Sequence, residues 1–325
     1  MDSPCLWTTI HVATSASSII THLERSRGAL LDIVIETPLW SRVKHLALVP
    51  SLDIVGSLAH RWHSLSVSHV GHVDDDDDEQ PSVTALAEFI IKSISHLHFP
   101  SLKYDAIPYC NPSLDFLSPV RAPALEHLEL EEFIAEHTVF PPVTALKTLN
   151  PDFYGSPVDY PSFLYLIPTQ TLTNLSLSGF TEAFSLHPNS IHFPCLKMLE
   201  ISCRANARQF MDAIVAPNLE RFIYTSFYSD DAPFVSLRGF LSKFTDVRYL
   251  TFYRPKTPTA PELLDADAIA LCKTFPGVRH VKLKTNQLPH LFDPTLRPLD
   301  GTRELDHLWA APQMARTQPV LGLAS

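Results

Sequence analysis

Three groups of side chains in this 325-residue chain are of types that do chemistry: histidines with their acidic neighbours, two cysteines, and a set of rings and cations. His63, His69 and His72 stand just ahead of the acidic run Asp74 to Glu79, and imidazole and carboxylate oxygens are ligands that suit several divalent metals. The run has no glycine turn and no fixed ligand spacing, and adjacent like charges repel, so its simplest form is a solvated loop over residues 73–80. His96 and His98, two positions apart, would share one face of a strand and supply two ligands with no third. Cys195 and Cys203 flank a strand-like phrase and are expected to pack as small buried hydrophobes. The third group is Arg221, Tyr249, Tyr253, His280, Lys282 and Lys284, whose rings and cations belong to the residue types that dominate protein interfaces. No G-x-S-x-G elbow, glycine-rich phosphate loop or H-E-x-x-H is present, and only 9 glycines occur in the chain. Neither a catalytic residue, a metal site nor a cofactor is assigned.

The elements that position these residues come from one repeated phrase: an apolar residue, two of any kind, then an apolar-x-apolar alternation. It is clearest as Leu196-Lys197-Met198-Leu199-Glu200-Ile201 and begins again at Leu125, Leu172, Leu219, Val247 and Val278. Rougher copies begin at Val43 and Trp62. The six clear copies are spaced 47, 24, 23, 28 and 31 residues apart, near the leucine-rich spacing. A unit this short cannot bury a core alone. Stacked units can, which predicts an α/β leucine-rich-repeat-like solenoid over 1–309, with parallel strands on the concave face and short helices on the convex face. Alternation along each strand turns the leucines inward and leaves the residues between them outward. The expected outward ladder runs from Ser64, Ser66 and Ser68 through His127, Glu129 and Glu131 to Arg221, Tyr249, Tyr253, His280, Lys282 and Lys284.

Apolar periodicity predicts helices over Ser15–Ser26, with Ile19, Ile20 and Leu23 on one side, and over Asp53–Arg61, Val83–His96, Tyr160–Ile167, Ala207–Val215, Pro233–Phe244 and Pro261–Phe275. Prolines between Pro100 and Pro161 forbid long helices and predict a loose middle with short or degenerate copies. Residues 310–325 show no periodicity and read as a flexible tail.

Composition narrows the partners. The net charge is −10, of which the acidic run supplies six, so no broad basic footprint for nucleic acid exists. The five cysteines are scattered without C-x-x-C spacing, as in reduced intracellular proteins. With no signal-peptide pattern and no membrane-spanning apolar run, a cytoplasmic or nuclear protein away from the membrane is expected.

The opening Ser3-Pro4-Cys5-Leu6-Trp7-Thr8-Thr9-Ile10-His11-Val12, followed by Leu23-Glu24-Arg25-Ser26-Arg27-Gly28-Ala29-Leu30-Leu31-Asp32-Ile33, resembles the segment just after the F-box in F-box leucine-rich-repeat-like proteins of mushroom-forming fungi. The resemblance marks 1–36 as a helix–strand unit of that kind and continues weakly through the repeated phrases. It implies a substrate-recognition region of a cullin-type ubiquitin ligase. The F-box helices themselves would lie before Met1, so adaptor binding is not expected of this chain. The sequence thus reads as a non-catalytic interaction scaffold for a protein partner. Its alternative is a metal-dependent enzyme or metal-binding protein using the His-rich and acidic edge over 63–79.

Overall fold

The computed structural model describes residues 3–12, 15–38, 42–70, 83–108, 114–131, 144–153, 167–179, 186–203, 207–226, 243–253, 274–284 and 313–314. They belong to two compact units, 1–172 and 173–325. Both are α/β, and every described strand pairing is parallel.

The first unit holds β1 (Thr9–His11), α1 (Ala16–Ser26), β2 (Leu31–Pro38), α2 (Arg42–Gly56), β3 (Trp62–Val70), α3 (Val83–Ile94), β4 (Tyr104–Pro108), β5 (His127–Glu131) and β6 (Thr148–Pro151). Its strands lie side by side in chain order. Parallel neighbours need a crossover, and α1, α2 and α3 supply the first ones while packing in sequence on each other. The opening phrase has a local structural role here. Pro4–Trp7 forms a 3-10 turn, and the Trp7 ring carries Arg25 at 4.3 Å and His22 edge-on at 5.0 Å, which pins the turn to α1. Ser15 caps α1 by accepting from the Ser18 amide, and the helix ends on two left-handed residues, Arg27 and Gly28. Further along, Trp62 is fully buried, donates to the Val55 carbonyl at 3.0 Å and packs on Phe99.

The second unit holds β7 (Asn174–Ser178), β8 (Ile191–His192), β9 (Met198–Cys203), the short helix α4 (Arg208–Ala213), β10 (Ile214–Val215), β11 (Arg221–Ser226), β12 (Tyr249–Tyr253), β13 (His280–Lys284) and β14 (Gln313–Met314). The main sheet runs β7-β9-β11-β12-β13-β14, and β8 pairs separately with β10. Its core is aromatic: Phe222, Phe244 and Phe275 stack with ring centroids 5.2 to 6.1 Å apart.

One turn recurs before the strands. The amides of Leu102, Leu125, Leu196, Leu219, Val247 and Val278 each donate three residues back, to Phe99, Ala122, Phe193, Ala216, Phe244 and Phe275. Two successive amides then share one carbonyl of the preceding copy. Glu126 and His127 share Lys103, Glu220 and Arg221 share Lys197, Arg248 and Tyr249 share Glu220, and Arg279 and His280 share Arg248. The phrase is thus a turn and a strand that satisfy their own polar backbone against the neighbouring copy. Gly277 sits where one such turn packs on the turn of the preceding copy, since a β-carbon there would collide with the Thr245 carbonyl oxygen.

Four expectations need correction. Val43–Leu48, read as a rough strand copy, is the start of α2, which absorbs part of the Asp53–Arg61 helix; Leu48, Leu52 and Val55 are its buried stripe, and six residues were too few to separate the two periods. The Pro-rich middle is regular where described: β4, β5 and β6 lie inside it. One of the short copies expected there, Leu146-Lys147-Thr148-Leu149, leads into β6 as read, whereas Leu102 begins an unexpected copy whose first inward residue is Asp105. The predicted Ala207–Val215 helix stops at Ala213, because Ile214 and Val215 pair with β8. Ile20, placed on the apolar face of the first helix, points outward while Ile19 is buried. The helices expected over Pro233–Phe244 and Pro261–Phe275, and the acidic loop 73–80, lie almost entirely outside the described residues, as does Tyr160–Ile167. Within the segment read as a tail, Gln313 and Met314 pair beside β13.

Candidate functional site

Strand parity in the second unit is as the alternation requires: Leu175, Leu177, Leu199, Ile201, Phe222, Tyr224 and Leu250 are buried. The residues between them form rows across the sheet. Arg221, Tyr249 and His280 are register partners in the first row, Ile223, Thr251 and Lys282 in the second, and Thr225, Tyr253 and Lys284 in the third. All six sequence-predicted residues therefore lie on three adjacent strands, with Arg221, Tyr249, His280 and Lys282 at outward positions and the side chains of Tyr253 and Lys284 outside the described set.

Four of the six are described in atomic detail, and three of these form a stack. The Arg221 guanidinium lies over the Tyr249 ring at 5.3 Å, and His280 is parallel to that ring within 7° at 4.8 Å. Because β12 lies between β11 and β13, the two groups cover opposite faces of the ring. Tyr249 is still 43% exposed. Among the described residues, neither Arg221 nor Lys282 has a carboxylate partner.

The outward face of the first unit is built differently. His127 donates to Glu129 at 2.8 Å, Tyr104 donates to the other oxygen at 2.9 Å, and Asn150 donates to the first at 3.2 Å. Tyr104 also stacks on His127 at 4.5 Å. These donors, His127 foremost and then Tyr104, hold the Glu129 carboxyl below its ordinary range, against the opposing effect of its partial burial. Toward β2, Asp32 accepts from Ser64 at 2.7 Å and faces His63 at 3.3 Å, and Glu36 faces His11 at 3.6 Å. Tyr104, Asn150 and Asp32 were not singled out from sequence; the register that joins them to Glu129 and His63 was the missing signal.

No protein-family model matches the chain, and no curated protein matches it. Among the described residues no helix is long and apolar enough to cross a membrane.

Of the groups singled out near the acidic run, His63 alone has a described side chain. His63 is turned onto Asp32, while the His69 side chain, His72 and Asp74–Glu79 lie outside the described residues. Among the described residues no three metal-ligating side chains converge. His96 and His98 are not on a strand: they follow α3 in a turn and loop, both exposed. Cys195 is exposed rather than buried, because it sits at the tip of the repeated turn, one residue before the inward Leu196.

Asp105 occupies the inward position where other copies carry Leu128 or Leu199. It lies in register between Leu65 and Leu128, is 0% exposed, and has no hydrogen-bond partner on either carboxyl oxygen among the described residues. Burial in that apolar setting pushes its pKa well above the ordinary aspartate value.

Proposed function

We propose that this protein is a non-catalytic interaction scaffold whose turn–strand units stack as a leucine-rich-repeat-like solenoid, with the outward strand positions as the recognition face and the helices on the opposite side. The resemblance of the opening segment points to the substrate-recognition region of an F-box protein, and recognition of a protein partner is the role that reading assigns. The observation that carries the proposal is the Arg221–Tyr249–His280 stack. An exposed ring fixed between two partners offers contact area with little side-chain entropy left to lose, which is what an interface anchor needs. The second-unit face is therefore the binding surface.

Site-specific photo-crosslinking tests this. A crosslinkable residue at Ile223, within the face, is expected to yield one discrete covalent adduct in cell extract, whereas the same residue at exposed Val120 yields none. The double change Tyr249→Ala with Lys282→Glu removes the adduct without lowering the unfolding midpoint. An adduct that survives that change, or appears equally from Val120, overturns the assignment.

A further inference from the structure

Resting on that reading of the second-unit face, we propose that its partner is an acidic polypeptide segment, with carboxylates engaging Arg221 at one end and His280 with Lys282 at the other.

The charge pattern is the first argument. In a chain of net charge −10, the described outward positions of the second unit contain one carboxylate, Glu200, against Arg221 and Lys282. Glu200 is on β9, in register with Ile223 rather than with either cation, and it pairs with neither. An exposed guanidinium held in place by a ring and left without a counter-ion is arranged to receive one from outside. Its planar fork of N–H donors fits a carboxylate in a way that an ammonium does not.

The stack also decides between classes of anionic partner. Single-stranded nucleic acid binds by laying bases on open aromatic faces. Both faces of Tyr249 are already covered, one by Arg221 and one by His280. What remains is a strip of polar edges: guanidinium N–H groups, a phenol hydroxyl and an imidazole nitrogen. Such a strip hydrogen-bonds carboxylates and leaves a base no open tyrosine face.

Geometry gives the spacing. Arg221 and His280 stand two strands apart, about 10 Å in a regular sheet. A segment in the polyproline II form rises about 3.1 Å per residue with three residues per turn, so side chains about three residues apart point the same way at nearly that distance. The partner segment is expected to carry Asp or Glu in that spacing, with a residue between them that can lie against the Tyr249 edge.

Selection of a random short-peptide library on the full chain tests the proposal. The expected outcome is enrichment of sequences with paired acidic residues, and a synthetic peptide of the most enriched sequence that loses about tenfold in affinity on Arg221→Ala, as for loss of a hydrogen bond to a charged group. Arg221→Lys restores only part of the loss, and replacing the peptide's acids by their amides reproduces it. Unfolding midpoints of the variants stay at the wild-type value. Acidic peptides indifferent to Arg221 and Lys282 overturn the proposal. Neutral peptides lost on Tyr249→Ala also overturn it while leaving the interaction surface standing. If no peptide is retained above a blank column, the surface reading fails as well. A random single-stranded oligonucleotide that binds more tightly than the selected peptide, and is lost on Arg221→Ala, assigns the face to nucleic acid instead.

Discussion

The two units use the same turn, the same strand parity and the same parallel pairing, yet their outward faces treat charge in opposite ways. On the first, three carboxylates of β2 and β5 each have a histidine against them: Glu36 with His11, Asp32 with His63, and Glu129 with His127. On the second, Arg221 and His280 are held by the ring of Tyr249, and no carboxylate closes on them among the described residues. A face whose polar groups satisfy one another has little left to give a partner. One whose cations are fixed in place but not neutralised retains its capacity for charge-assisted bonds. Residue composition alone does not separate these cases, since both faces contain histidine, tyrosine and charge; the register does.

The comparison rests on parity, and the largest effect comes from reversing it. Leu199→Asp puts a carboxylate into a fully buried inward position and is expected to cost more than about 4 kcal/mol, combining lost apolar burial with an unpaired charge. Glu200→Ala, one residue on, is expected to stay within about 0.5 kcal/mol. Thermal unfolding followed by circular dichroism reads both. Similar losses from the two changes mean that the outward rows, and the contrast drawn between them, are misplaced.

The first unit contains the natural counterpart of that mutation. Asp105 sits in the inward position with its pKa raised by burial. For a carboxyl raised in the folded state, the folded form holds its proton where the unfolded chain has lost it. Stability is therefore highest below the ordinary aspartate value near 4 and declines as pH rises toward the folded value. Asp105→Asn keeps the shape and removes the titration, so it is expected to stabilise the protein by about 1–3 kcal/mol at neutral pH. The gain closes as pH falls toward about 4. Denaturant midpoints across that range check it. A gain independent of pH means that the carboxyl is not held in a dry apolar site.

Asp105 also shows where reading the sequence stopped. The phrase is recognised by its leucines, and Pro100-Ser101-Leu102-Lys103-Tyr104-Asp105-Ala106-Ile107 hides a copy because a charged residue fills an apolar slot. Tertiary pairing with β3 and β5 overrode that local mismatch. Val43–Leu48 failed in the reverse direction: its short apolar pattern fits either period, and only the longer buried stripe through Val55 makes it helical. The outward row of Arg221, Tyr249 and His280 was legible because parity is fixed by two residues per repeat and the copies align by their leucines. The cluster around Glu129 was not, because it joins three strands whose relative register no single strand encodes.

The smallest expected effect discriminates most finely between the faces. Glu129 and Glu200 hold the same place in their copies, the residue between two inward apolar side chains, at Leu128 and Leu130 in one and Leu199 and Ile201 in the other. Glu129 accepts from three donors, whereas Glu200 has no side-chain partner among the described residues. Glu129→Gln should therefore cost roughly 1 kcal/mol at neutral pH, at the low end for a charged acceptor because the side chain is 37% exposed and solvent screens it. Glu200→Gln should stay within about 0.5 kcal/mol. The direction with pH is the reverse of that at Asp105. A carboxyl lowered in the folded state contributes stability above its unfolded value, near 4.3, and loses it as pH falls through the folded value, so the Glu129→Gln deficit shrinks toward zero in acid. Both variants are neutral at those positions and differ only in what surrounds them. Equal losses would mean that the donors around Glu129 do not stabilise the first unit, and that the two faces differ in composition without differing in internal satisfaction.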